Sequence, residues 1–153
     1  MKNTATSTRC VGYDAGKRIK GRKRFFLVDT LGNLLACWVV AAHGHDGASA
    51  ARAWDALAVG NELLDRLQTV FVDGGFGRGF RQHLAGRGLQ ALVPLGVVAD
   101  KGRFFIHAKR WVVERSIAWA GNNRRLAKDY ERKTQHATAW LYLANIRQLT
   151  KLT

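Results

Sequence analysis

The chain has 153 residues, of which 47% are hydrophobic, and this length and composition predict one folded domain around a single core. Its 25 Lys and Arg against 11 Asp and Glu give a formal net charge of +14, which predicts a polyanionic partner because neutralised phosphates release their counterions. The five Trp, seven Phe and three Tyr exclude a disordered basic tail, and no apolar run reaches the roughly 20 residues of a membrane span. We therefore expect a folded basic protein of the cytoplasm, close to the nucleoid.

The first third of the chain predicts a basic segment followed by a β-hairpin. Residues 1–16 are polar and contain glycine, and they lead into a basic cluster, which predicts a flexible arm or the entry to a strand. The basic side chains that follow are Lys17, Arg18, Lys20, Arg22, Lys23 and Arg24. Two apolar runs, Phe25–Thr30 and Leu34–Ala42, flank the turn Leu31–Asn33 and predict two paired strands. The basic residues could contact phosphates, or they could protect the edge of the sheet from unwanted pairing.

The middle of the chain predicts alternating helices and short strands. The Ala-rich run Gly47–Leu57 predicts a helix, with Asp46 placed to cap its start. Thr69–Asp73 predicts a buried strand that ends in a carboxylate and leads through glycines into a helix at Arg78–Ala85. Leu89–Pro94 predicts the next strand. Reactive groups commonly lie beyond the carboxyl ends of such strands, which is where the last residue of the first strand would be.

The C-terminal half predicts two helices. The first covers Lys109–Ala120 and the second covers Lys133–Leu152. In the second helix, apolar residues recur at helical spacing at Ala139, Leu143, Ile146 and Leu149. The order hairpin, helix, strand, helix, strand, helix, helix predicts an α/β domain whose helices pack on a mixed sheet.

Carboxylates are scarce in this chain, and two of them are candidates for metal chemistry. Asp73 at a strand end and Glu114 on a basic helix could hold one divalent ion, with Asp14 or Asp29 as further candidates. Phosphoryl transfer with metal ions requires two or three such oxygen ligands. Simpler interpretations exist: an Asp before two glycines is commonly a turn former, and Glu114 follows Arg110 at the ordinary spacing of a helical ion pair. On spacing alone, the ion pair is the better interpretation of Glu114.

Four sequence blocks occur in a specific order and together cover nearly the whole chain. They are Gly12–Arg24, Leu27–Gly32, Val72–Phe76, and Arg110–Arg115 followed by Arg124–Glu131. These blocks resemble the DDE transposases of bacterial insertion sequences, of the insertion-sequence-four/five type. The resemblance implies a ribonuclease-H-like fold in which three acidic residues bind two Mg²⁺ (or Mn²⁺) ions and catalyse DNA strand cleavage and strand transfer. In this pattern Asp73 matches the second catalytic Asp, and Glu114 matches the catalytic Glu.

The same resemblance implies that one catalytic acid is missing. The first Asp of the family lies on the first strand, shortly before the position of the Gly12 block, and the chain begins just after it. Neither Asp14 nor Asp29 matches that position. We therefore expect a ribonuclease-H-like mixed sheet that lacks its first central strand, and impaired cleavage of DNA.

The helix that carries the Glu resembles a signature of Tyr, Arg, Glu and Lys only in part. Arg110 and Glu114 fit this signature, whereas His107 and Gly121 stand at the Tyr and Lys positions. The resemblance implies that Arg110 contacts a DNA end. Further phosphate contacts are expected from the basic residues of the arm and hairpin and from Arg115, Arg124 and Arg125.

Two other functions remain open at this point. The chain could be a non-catalytic DNA-binding fragment that inhibits or regulates transposition, either alone or by joining a full-length transposase or another copy of itself. It could also be a general basic protein that binds DNA or RNA, although the four blocks make this the weakest interpretation.

Overall fold

A computed structural model of the chain describes residues 10–94 and 110–151. The chain divides into two compact units, Met1–Gly44 with Arg115–Thr153, and His45–Glu114. Strands and helices occur in both, so the predicted α/β class is confirmed and is compatible with a ribonuclease-H-like fold. The described strands form two separate sheets where one mixed sheet was expected. A single domain over residues 1–153 and a missing central strand remain predictions.

The first unit contains a three-stranded antiparallel sheet in the order β1, β2, β3. Strand β1 is Gly12–Asp14, β2 is Ile19–Val28 and β3 is Leu34–Ala41. The pairing of β2 with β3 runs from Arg22 opposite Ala41 to Val28 opposite Leu34, which confirms the predicted hairpin. Strand β1 lies inside the segment 1–16, for which a flexible arm or the entry to a strand was predicted, and its pairing with β2 agrees with the second alternative at Gly12–Asp14.

The turn between β2 and β3 is held by Asp29. Its carboxylate accepts hydrogen bonds of 2.8 Å from the N–H groups of Leu31 and Asn33 and from the side-chain amide of Asn33. Gly32 has a φ of +89°, which an L side chain rarely adopts, and its carbonyl accepts a 2.7 Å bond from Ser116 Oγ. Asp29 therefore shapes the hairpin.

Three helices follow in the C-terminal part of the chain. Helix α4 is Arg110–Gly121, α5 is Arg124–Ala127 and α6 is Thr134–Leu149. The core of the first unit consists of Cys37, Val39, Ala120, Leu126, Ala137, Leu141 and Ala144. Helix α6 thus buries small alanines that allow close approach to β3, whereas the repeat Leu143, Ile146 and Leu149 is exposed.

Cys37 is buried under α6, and its thiol is expected to be unreactive. Desolvation raises the pKa of Cys37 to about 12, and the nearby hydroxyl of Tyr142 opposes this rise only in part. Cys10, by contrast, is exposed. Ellman's reagent should therefore modify one thiol in the native protein at mildly alkaline pH and both thiols in urea. Equal native reactivity of the two cysteines would contradict this packing.

The second unit begins with α1, Asp46–Ala58, and the short α2, Glu62–Asp65. It continues with β4, Thr69–Phe71, a 3-10 turn at Gly74–Phe76, helix α3, Gly77–Ala85, and β5, Gln90–Leu92. Strands β4 and β5 are parallel, with Thr69 opposite Gln90 and Phe71 opposite Leu92. The buried apolar side chains of this unit are Ala50, Trp54, Leu64, Val70, Val72, Phe80, Leu84, Leu89 and, on a later helix, Val112. All the elements predicted for this segment are present.

The start of α1 differs from the sequence prediction. The N-cap residue is His45, and Asp46 is the first residue within the helix. Asp46 therefore acts through its negative charge in the first turn, where the helix dipole favours an anion. Within residues 10–94 and 110–151, no helix has the length and apolar character needed to cross a membrane.

Candidate active site and nucleic-acid surface

Asp73 lies just beyond the carboxyl end of β4, as the sequence predicted. The preceding residue, Val72, is buried, and its N–H donates a 2.9 Å bond to the carbonyl of Leu92. The backbone is therefore anchored up to Asp73, whose own side chain is exposed. Asp73 precedes the 3-10 turn but makes no side-chain capping bond to it. Its backbone is thus held in place, and its exposed carboxylate is accessible to a ligand.

The turn that follows Asp73 is supported by close contact with α1. A Cβ added at Gly47 would collide with the carbonyl oxygen of Phe76, so only glycine allows the two segments to approach this closely. Gly77, which begins α3, has a φ of +71° and lets the chain turn sharply into that helix. The role of Gly47 was not predicted, because a glycine at the start of an Ala-rich run carries no sequence signal of a distant contact.

Glu114 is exposed on α4 and, like Asp73, belongs to the second unit. The side chain of Arg110 lies outside the described part of the chain, so the predicted pairing of Arg110 with Glu114 stays a prediction. The described residues contain no group of three or more His, Cys, Asp or Glu that could hold a metal ion. The carboxylates of Asp73 and Glu114 are hard oxygen donors of the kind that Mg²⁺ prefers. The type of donor therefore fits a Mg²⁺ site, although two protein ligands are few for such a site.

Asp14, a further acidic candidate, is used to hold the β1–β2 turn. Its Oδ1 accepts a 3.0 Å bond from the N–H of Lys17, and its Oδ2 lies 3.6 Å from Lys23 Nζ. The Lys17 N–H, and then the charges of Lys23 and Lys17, hold the pKa of the Asp14 carboxyl below its ordinary value, against opposing desolvation. Asp29 has a similar structural role in the next turn. The carboxylates of both residues therefore hold turns, which is a sufficient structural reason for their presence.

Arg22, which was predicted to contact DNA, is buried inside the first unit. Its side chain is 0% exposed, and Nη1 lies 3.2 Å from Asp129 Oδ2. Its guanidinium also donates to the backbone carbonyls of Cys10, Glu131 and Arg132 at 3.3, 2.8 and 2.9 Å. Alternate residues of a strand point to opposite faces, and Arg22 points inward. No local sequence pattern predicts this partner, which lies 107 residues away along the chain.

The other basic residues of the hairpin differ in their accessibility. Arg24 donates a 2.9 Å bond to the carbonyl of Leu126, and desolvation lowers the pKa of its guanidinium. Lys23 donates to the carbonyl of Gly44 and pairs with Asp14. Exposed side chains remain at Lys17, Arg18 and Lys20 around the β1–β2 turn. We name these three residues the hairpin basic patch.

The basic residues of the C-terminal part are also in different environments. Arg115 donates a 2.7 Å bond to the carbonyl of Leu31 and lies 4.6 Å from the ring centroid of Trp119. Arg125 forms a 2.7 Å ion pair with Glu131. Arg124 is exposed on α5. Of the three, Arg124 is the most accessible to a phosphate.

The chain matches one protein family, described as transposase DDE domain, over residues 2–147. No curated protein and no solved structure matches it. The family acts in DNA transposition, with DNA as partner, and its members generally use divalent metal ions. The match covers both candidate acids and confirms the resemblance seen in the four sequence blocks. The chain therefore belongs to the transposase DDE domain family.

Proposed function

We propose that this chain catalyses metal-dependent DNA strand cleavage and strand transfer at the ends of an insertion sequence of the four/five type. Asp73 and Glu114 would hold Mg²⁺ or Mn²⁺, and the protein would act in the cytoplasm at the nucleoid. The observation that carries this proposal is the exposed side chain of Asp73, which lies just beyond the end of β4. This position suits a reactive group in an α/β fold.

The two acids and the protein frame contribute in different ways. When bound, the divalent ion supplies positive charge that stabilises the attacking and leaving oxygens of the phosphodiester. The backbone at Asp73 is held by the bond from the Val72 N–H to the Leu92 carbonyl and by the contact of the following turn with Gly47 of α1. Glu114 projects from the rigid α4. We propose that cleavage by this chain is weak, because the family resemblance matches only Asp73 and Glu114 among the three catalytic acids.

Cleavage of supercoiled plasmid tests this proposal. The chain should convert supercoiled DNA to the nicked form in Mg²⁺ or Mn²⁺ and should stop when EDTA removes the metal. Nicking that continues in EDTA would contradict a metal-dependent mechanism.

We propose that the hairpin basic patch, with Arg124, carries most of the phosphate contacts. Replacement of Lys17, Arg18 and Lys20 by Gln removes three exposed cations and should weaken duplex binding. If each residue contacts one phosphate, the slope of log K against log salt should become shallower by about 2.7. Fluorescence anisotropy over a range of NaCl concentrations measures both effects.

A matched variant separates local contact from overall charge. Gln at Arg66, Lys128 and Lys151 removes the same charge from exposed positions dispersed over the chain. Equal loss of affinity in the two triple variants would mean that the hairpin basic patch has no special role.

A second function is a non-catalytic one, in which the chain occupies insertion-sequence ends or joins a full-length transposase and so inhibits transposition. The family resemblance matches only two of the three catalytic acids, Asp73 and Glu114, and this favours the alternative. DNA binding without nicking in any metal, together with inhibition of a full-length transposase added to the same DNA, would support this alternative.

A further inference from the structure

A groove lies between α5 and α6 within the first unit, where Leu126 and Ala144 of the hydrophobic core form part of its lining. Its volume is about 290 Å³, close to the lower limit of small-ligand sites, and it could hold a nucleoside. Trp140 and Leu143 form its apolar wall, and they are 37% and 52% exposed. These two side chains are turned to solvent because α6 uses Ala137, Leu141 and Ala144 to contact the sheet.

The groove is strongly cationic. Arg124, Arg125 and Arg147 line it, and Glu131 offsets only one of these charges through its ion pair with Arg125. The guanidinium of Arg125 lies 5.5 Å from the ring centroid of Trp140. A flat aromatic ring is thus bordered by a planar cation on one side and by further positive charge beside it.

Arg147 is held in place before any ligand binds. Its Nη1 donates a 3.0 Å bond to Asn123 Oδ1. The amide group of Asn123 in turn donates to the carbonyls of Trp119 and Ala120 at 3.2 and 3.1 Å, which fixes its orientation at the end of α4. A cation organised in this way loses little conformational entropy when it binds an anion.

The ligand that fits this combination has both flat aromatic groups and phosphates. An apolar protein helix would cover Trp140 and Leu143 but would have to desolvate three arginines without giving them partners, which is costly. Duplex DNA offers phosphates but keeps its bases stacked inside the helix. A single strand offers both groups, since its unstacked bases can stack on an aromatic side chain while its phosphates pair with cations.

We infer that this groove binds unpaired nucleotides of single-stranded DNA, with a base stacked on Trp140 and the adjacent phosphates at Arg124 and Arg147. The inference rests on the proposed function in taking DNA as the partner. It adds the form of DNA that this groove recognises, and the residues that line the groove include neither Asp73 nor the hairpin basic patch.

Affinities for a short oligothymidine and for a duplex of the same length test the inference. Trp140→Ala should weaken binding of the oligothymidine by about ten-fold, as expected for the loss of one stacked base, and should leave duplex affinity unchanged. Trp140→Phe should retain most of the affinity because the ring persists. Ile146→Ala removes another exposed apolar side chain of α6, 54% accessible and outside the groove lining, and should have no effect on either DNA.

Photo-crosslinking locates the contact directly. An oligonucleotide that carries 5-iodouracil should crosslink to Trp140, and peptide mass spectrometry identifies the modified residue. Crosslinking elsewhere, or equal affinities of Trp140→Ala and the unmodified chain for oligothymidine, would overturn the inference. So would a change of oligomeric state in Trp140→Ala without loss of strand binding, because the groove would then be an interface between copies. Failure of the unmodified chain to bind any DNA would instead refute the proposed function.

Discussion

Asp129→Ala is expected to destabilise the protein by about 3–5 kcal/mol, the usual consequence of breaking a buried ion pair. The variant leaves the guanidinium of Arg22, 0% exposed, without its counter-charge at 3.2 Å. The backbone carbonyls around Arg22 accept hydrogen bonds but carry no net charge, so they cannot replace the carboxylate. Urea denaturation followed by circular dichroism measures the free energy of unfolding of both proteins.

Two comparisons show whether burial is the cause. Arg125→Gln breaks the pair with Glu131, in which Arg125 is 49% exposed, and should cost at most about 1 kcal/mol. Arg22→Met combined with Asp129→Leu should cost less than the sum of the two single changes, because neither charge is then left alone. An equally small loss in Asp129→Ala and Arg125→Gln would mean that the buried pair does not stabilise the fold.

Asp73→Asn is expected to reduce metal-dependent nicking by about 100-fold or more. An amide oxygen is neutral and binds a divalent ion weakly, so several kcal/mol of transition-state stabilisation are lost, and about 1.4 kcal/mol corresponds to each factor of ten. Binding to DNA should persist, because the variant removes a negative charge from an exposed position. The rate of conversion of supercoiled plasmid in Mn²⁺ gives the loss, and anisotropy gives the affinity.

Glu62→Gln provides the matched control for this change. Glu62 is an exposed acid of α2 in the same unit, and its neutralisation should leave the nicking rate unchanged. If Asp73→Asn and Glu62→Gln behaved alike, the nicking would come from somewhere other than Asp73.

Much of the fold follows from local sequence patterns. The hairpin was predictable because two apolar runs flank a short turn, and the structure pairs them from Arg22 to Val28. The strand before Asp73 was predictable because a short apolar run ends at glycines, although the observed strand is only Thr69–Phe71. The position of Asp73 beyond a strand end could therefore be predicted, whereas its role as a metal ligand came from the family resemblance.

Long-range contacts were not predictable in the same way. Arg22 belongs to a run of basic residues that predicts a solvent-exposed segment. Its ion pair with Asp129 forms only in the folded chain. Helix α6 is apolar on more than one side, so periodicity alone could not show that Ala137, Leu141 and Ala144 would face the sheet. The groove beside Trp140 exists because these three residues, and not Trp140, face the sheet. No sequence motif predicts it for this reason.

The central claim is that Asp73 and Glu114 hold the same catalytic metal, and a double variant tests it most directly. Nicking rates in Mn²⁺ would be compared for Asp73→Asn, Glu114→Gln and the protein that carries both changes. Residues that act as one unit lose their function together, so the double variant should be no slower than the slower single variant. Losses that multiply in the double variant would contradict a shared metal site.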